Sequence, residues 1–263
     1  MDDSADLTGV RVLVTRPASQ AGPLAQLIRE AGGVARLFPV VEIVDPEDSR
    51  PLNHIVDRLD NIDLAIFISP NAVNRAMHHI LSRRSLPTSL RLACVGRASA
   101  RELKRLGYTD VIAPLGHSNS EALLALPALQ SVAGKKIVIF RGDGGRETLG
   151  DTLTARGASV EYVECYRRIL PAIDASSLID DWRRGGVDIV SVTSTQGLKN
   201  LYALMGDTGR PCLLSTPIVV LSERTAHTCR ELGFVTEPMV TADASDAAIV
   251  EAIQAWRARQ NSL

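Results

Sequence analysis

Residues 67–73 read FISPNAV and residues 192–198 read VTSTQGL. Each stretch follows an aspartate and an apolar run, Asp63-Leu-Ala-Ile-Phe-Ile-Ser in one case and Asp188-Ile-Val-Ser-Val-Thr-Ser in the other. Each then opens a segment with helical spacing. A β-branched run that ends on a serine and turns amphipathic reads as a strand leading into a capped helix. The same corner recurs at an offset of 125 positions, so the question is whether the whole chain is doubled.

Other pairs keep that spacing. Arg16 faces Arg141, Ala31-Gly32 faces Arg156-Gly157 and Ser120-Glu121-Ala122 faces Ser245-Asp246-Ala247, all at 125, while Leu106-Gly107 faces Leu232-Gly233 at 126. An offset held within one residue over four strand–helix units indicates internal duplication. Short β-branched runs at 10–15, 63–68, 91–95, 111–113, 135–140, 188–193 and 217–221 alternate with helical segments. Helical spacing is clear in Leu24, Leu27, Ile28 and Ala31, and again in Leu198, Leu201, Tyr202 and Met205. Strands without strict alternation, separated by helices, predict an α/β fold of doubly wound parallel sheets covered on both faces. Two segments break the rhythm: ARLFPVVEIVD (35–45) and SVEYVECYRRIL (159–170) are long and β-rich, and each leads into a proline. The bland reading of each is an ordinary strand plus loop; the sharper one is a pair of strands that cross between two lobes and pair there as a hinge.

The 263 residues, 45% apolar, allow about two domains. Lys and Arg (29) nearly balance Asp and Glu (30), which leaves no overall basic field for nucleic acid. The start MDDSADLTG is unlike a signal peptide, and no apolar run approaches a membrane span, so a cytoplasmic protein without a membrane partner is expected. Cys94, Cys165, Cys212 and Cys229 lack CxxC spacing and read as free thiols; the five histidines form no ligand motif, so no metal or other cofactor is expected.

In a parallel sheet all strands end at one edge, where a row of helix N-termini offers free N–H groups to anions. The corner residues suit that use: Thr15, Arg16, Ser69, Asn71, Gly96 and Ser120 in the first copy, Arg141, Gly142, Ser194, Gln196, Ser222 and Thr225 in the second. The bland reading is that such residues simply cap helices, as they do everywhere; Ser118 with Glu121 fits a capping box. RGDGGRE (141–147) lacks the ending of a P-loop and the spacing of GxGxxG, so a nucleotide enzyme is not supported. Trp182 and Trp256 read as partly buried helix residues.

The stretches VLVTRPASQAGPLAQLIREAGGVARLFPVVEI (12–43), FISPNAVNRAM (67–77), CVGRASARELKRLGY (94–108), SEALL (120–124), VIFRGDGGRETLGDTLTARGASVEYVECYRR (138–168) and LSERTAHTCRELGF (221–234) resemble the uroporphyrinogen-III synthase family in residues and in order. The resemblance implies two interleaved, flavodoxin-like lobes, the first from residues 1–38 plus 170–263 and the second from 46–160, with 35–45 and 159–170 as the two-stranded β linker.

It also implies a reaction. Hydroxymethylbilane, a linear tetrapyrrole with eight carboxylates, loses water and closes to uroporphyrinogen III with ring D inverted, on the way to haem, sirohaem or cobalamin. Uncatalysed, the bilane closes to the type I isomer, so the task is largely conformational control. The usual scheme passes through an azafulvene and a spiro intermediate. By the same resemblance Tyr166 in ECYRR is the general acid, a phenol that keeps its proton at neutral pH. Thr225 and the paired serines Ser69 and Ser194 are assigned to carboxylate binding, and Arg224 stands where some relatives carry a second threonine. A monomer receiving the bilane from the enzyme that makes it completes the expectation. The alternative is a non-catalytic two-lobed module that binds or senses an anionic ligand.

Overall fold

The computed structural model describes residues 6–145 and 147–261; the first five residues of the acidic start and Arg146 of RGDGGRE lie outside the described residues. In chain order the first half supplies β1 (Arg11–Val14), α1 (Ala18–Glu30), β2 (Val34–Leu37), β3 (Glu42–Val44), α2 (Arg50–Asp57), β4 (Leu64–Phe67), α3 (Pro70–Leu81), β5 (Arg91–Cys94), α4 (Arg97–Arg105), β6 (Val111–Ile112) and the short helices α5 (Ser120–Leu124) and α6 (Pro127–Gln130). The second half supplies β7 (Lys136–Gly142), α7 (Thr148–Ala155), β8 (Ser159–Ile169), α8 (Ser176–Arg183), β9 (Ile189–Val192), α9 (Thr195–Ser215), β10 (Ile218–Val220), α10 (Glu223–Leu232), β11 (Met239–Val240) and α11 (Asp246–Asn261).

These elements form two compact units. The first runs to Glu42 and resumes at Ile169; the second is Ile43–Arg168. The first unit's sheet has the order β11-β10-β9-β1-β2, the second's β3-β8-β7-β4-β5-β6. The paired strands of known register run parallel in both. Within the first unit this is the doubly wound order 2-1-3-4-5. Inside its outer strand β3, the second unit repeats that spatial order, with β7 and β8 in the places of β1 and β2, but the chain takes up the order in the middle, at β4. Each unit therefore takes the opening strands of one repeat and the closing strands of the other.

Burial on both faces follows from strand alternation. Along β4, Ala65 and Phe67 join one core with α3, while Leu64 and Ile66 join the other. Phe67 stacks on Phe140 of β7 with ring centroids 5.2 Å apart. In the first unit Leu13 faces one core and Val12 and Val14 the other. Trp182 is buried and its indole donates to Thr216 at 2.9 Å; Trp256 packs part-buried on the α1–α11 side.

The two opening aspartates do one job twice. Asp188 Oδ2 accepts the Arg11 backbone N–H at 2.7 Å, and the Arg11 guanidinium adds two bonds of 2.8 Å. Asp63 Oδ2 accepts the Lys136 backbone N–H at 2.8 Å, with Lys135 Nζ at 3.0 Å on the other oxygen. Each carboxylate pins the start of a central strand to its neighbour across the point where the winding reverses.

Two expectations are corrected. The segment 35–45 is not one long strand: β2 ends at Leu37 and β3 begins at Glu42, either side of Pro39, which has no N–H to donate to a ladder. Only 159–169 forms a continuous long strand, and β3 pairs beside it as the outer strand of the second unit's sheet. The cap of α5 is Asn119, whose side chain accepts from Ala122 N at 2.8 Å, so the Ser118–Glu121 box does not form.

Candidate functional site

Brought together at the carboxyl edge of the second unit are the corners after β4 and β7 and the end of β8. Ser69 caps α3, its Oγ accepting from Ala72 N at 3.1 Å, and Pro70 at the first helical position fixes the turn. The register sets Gly142 at the end of β7 opposite Tyr166 on β8. A Cβ built on Gly142 would lie 2.6 Å from the Tyr166 ring, so only glycine lets that ring lie against β7. Tyr166 is fully buried. Its hydroxyl is 3.1 Å from Ser69 Oγ and receives a 2.7 Å bond from Arg168 Nη2, whose guanidinium also lies 5.2 Å over the ring. Arg168 backbone N–H donates to Asp143, and Asp143 N–H donates back to the Tyr166 carbonyl.

Donor arithmetic limits what this cluster can do. A guanidinium only donates, so one lone pair of the phenol oxygen is taken. If Tyr166 donates to Ser69, then Ser69 Oγ accepts twice, from Ala72 N and Tyr166, and its own proton points to whatever sits at the sheet edge. If Ser69 donates to Tyr166, the buried phenol proton is the one left over. The first arrangement puts the outward proton on the half-exposed group, Ser69.

Beside it, Arg141 lies 4.5 Å over the Tyr162 ring and 4.0 Å from Glu164, with Nε and Nη1 buried and unpartnered. The RGDGGRE amides are partly used internally, since Gly144 N–H donates to Glu164 at 3.2 Å. Gly96 opens α4 at a point where a Cβ would meet Ser118 at 2.6 Å, so the corners after β5 and β6 touch. Ser120 stands in the first turn of α5 and Asn71 in that of α3.

In the first unit Ser194 caps α9 by accepting from Gly197 N at 3.0 Å, and Ser222 caps α10 by accepting from Thr225 N at 3.4 Å. Thr225, buried, joins two corners: its hydroxyl is 3.1 Å from Ser222 Oγ and 3.1 Å from Thr195 Oγ1. Gln196 is bonded to Asn200, which in turn donates to the Val40 carbonyl at 2.8 Å. Thr15 and Arg16 are engaged within the fold. Thr15 donates to the Ser191 carbonyl at 2.8 Å, and Arg16 pairs with Asp246 at 2.5 Å. Arg224 is exposed in the first turn of α10.

The geometry is thus two doubly wound sheets with hydroxyl-capped corners, and the comparisons bear on what such a chain is. A sequence model described as "Uroporphyrinogen-III synthase HemD" matches residues 22–249. The chain belongs to the uroporphyrinogen-III synthase family. It is 39% identical to the uroporphyrinogen-III synthase of Salmonella typhimurium over 92% of this chain and 99% of that one. Against the Escherichia coli protein of the same name the identity is 36%, with the same coverage of both chains. Among solved structures, a uroporphyrinogen-III synthetase from Helicobacter pylori superposes with a TM-score of 0.58 at 12% identity, covering 94% of this chain and 99% of that one. A mutant uroporphyrinogen III synthase from Thermus thermophilus gives 0.56 at 18%, covering 97% and 100%. At those identities the structures speak for the fold alone.

One residue at these corners is not singled out by the sequence reading. Arg168 stands two positions past Tyr166 on β8, where strand alternation returns it to the same side, so a Tyr-x-Arg pattern was the available signal. Among the described residues no group of three or more His, Cys, Asp or Glu could hold a metal ion, and no helix is long and apolar enough to cross a membrane.

Proposed function

We propose that this chain closes hydroxymethylbilane to uroporphyrinogen III, and that Ser69 and Tyr166 deliver the proton that carries off the hydroxyl group. The ring closure, with loss of water and inversion of ring D, is the activity of its family, and the match to that family spans most of the chain. The observation that supports the residue assignment is the 3.1 Å contact between Ser69 Oγ and the Tyr166 hydroxyl at the point where the second sheet reverses its winding.

The C–O bond of the hydroxymethyl group breaks with its electron pair on oxygen, while the pyrrole nitrogen feeds electrons to the exposed carbon. The departing oxygen takes the Ser69 proton and leaves as water; Ser69 takes the Tyr166 proton, and the Arg168 guanidinium holds the phenolate. The proton later lost from ring D as the macrocycle forms restores the phenol. The candidates for carboxylate binding are Ser194, Ser222 and Thr225 at corners of the first unit, and Gly96, Arg141 and Gly142 at corners of the second. Asn71, Ser120 and Gln196 stand in the same helix-start positions. Thr15 and Arg16 act as braces.

A bilane that closes unaided to the wrong isomer favours direct hand-over from the enzyme that makes it, in the cytoplasm, to a monomeric acceptor. Incubation of the purified chain with hydroxymethylbilane tests the function: consumption above the blank with uroporphyrinogen III as product is expected. Binding without consumption would replace the enzyme with a sensing module.

A further inference from the structure

The second unit carries a groove that the ring-closing corners do not use. It lies between α4 and the edge strand β6, has a volume of about 620 Å³, and is lined by Arg97, Arg101, Lys104, Tyr108 and small apolar residues including Ala100, Val111 and Pro114. The three cations fall at i, i+4 and i+7, one face of α4, spanning roughly 10 Å at 1.5 Å per residue. No carboxylate lines the groove, and none of the three cations has an ion-pair partner among the described residues, whereas the neighbouring Arg105 is paired with Glu102. Only Arg97, in the first turn, stands at the carboxyl edge of the sheet. Arg101 and Lys104 follow the helix back along the flank, away from Ser69 and Tyr166.

We infer that this groove is a second binding site for a polycarboxylated pyrrolic ring system, separate from the catalytic corners. A row of cations of that length matches several carboxylates on one molecule better than a single phosphate. The Tyr108 ring and the apolar floor suit the body of a ring, and the volume falls in the range of small-molecule sites. An acidic protein surface would want the cations but not the concave apolar floor. The inference shares with the proposed function only the chemistry of its ligand.

The test uses the full chain and the double variant Arg101→Glu, Lys104→Glu, both titrated in the dark with uroporphyrin III, an octacarboxylate, by equilibrium dialysis. The wild type is expected to show a class of sites that the double variant loses or binds about ten-fold more weakly, while kcat and KM for ring closure stay unchanged. Equal binding by both proteins, or no binding by either, overturns the site; capture of an acidic protein in the second case would move the groove to partner docking. Loss of binding together with a raised KM also overturns it, by making the groove an arm of the catalytic site. Ring-closing activity of the wild type is measured in parallel, so failure of the groove and failure of the proposed function give different results.

Discussion

Tyr166 is buried, and Arg168 occupies one lone pair of its hydroxyl. In the proposed reaction the phenol therefore supplies Ser69 from behind rather than meeting substrate alone. Replacing Tyr166 with Phe should lower kcat by roughly a hundred-fold, the low end of the usual share of general acid catalysis, with type III still the enzyme-formed product. Unchanged turnover would remove the proton role. Arg168→Gln should also lower kcat, because a phenolate would then lack its cation, and Arg168→Lys should restore part of it. The split between kcat and KM separates this from simple packing loss: Arg168→Gln should lower kcat with KM unchanged, and Arg168→Lys should recover part of kcat. A fall in kcat that Arg168→Lys does not recover, or a raised KM in its place, would mean that Arg168 only packs.

At the scale of elements, the strand–helix corners were readable because capping leaves a fixed residue pattern, and Ser69, Ser194 and Ser222 all cap as their positions predict. What could not be read was the break at Pro39, since a β-rich composition survives a chain that switches sheets. The two-residue β11 was equally silent, too short to show a pattern. The aspartates before β4 and β9 carry a testable consequence. Burial pushes the Asp188 carboxyl up, but the bonds from Arg11 outweigh it and hold the carboxyl below its ordinary 3.8; at Asp63 the Lys136 backbone bond and Lys135 do the same. A carboxylate depressed in the folded state stabilises fully above the unfolded value and loses that contribution as pH falls through the folded one. Asp188→Asn should therefore destabilise by about 1–3 kcal/mol at pH 7, as expected for losing hydrogen bonds to a charged group. The difference from wild type should shrink below pH 4 in urea titrations. A constant difference across that range would contradict the bracing role.

For the whole molecule, the repeat in the sequence announced two similar sheets but not how the halves share them. An offset of 125 is equally compatible with side-by-side and with interleaved copies, because it records similarity and not pairing; the interleaving was implied by the family resemblance. One unit is continuous in the chain and the other is not. A fragment of residues 43–168 should therefore fold by itself. Burial pushes the thiols of Cys94 and Cys165 up to about 11 and about 12, so in that fragment both should resist alkylation at pH 8 until urea is added. Immediate labelling would show that the second unit needs the first.

The most direct test of the account is a single-turnover reaction with the chain in excess over hydroxymethylbilane, followed by oxidation and separation of the uroporphyrin isomers. The account predicts type III as the dominant product. Type I in the proportion of the enzyme-free blank would contradict it.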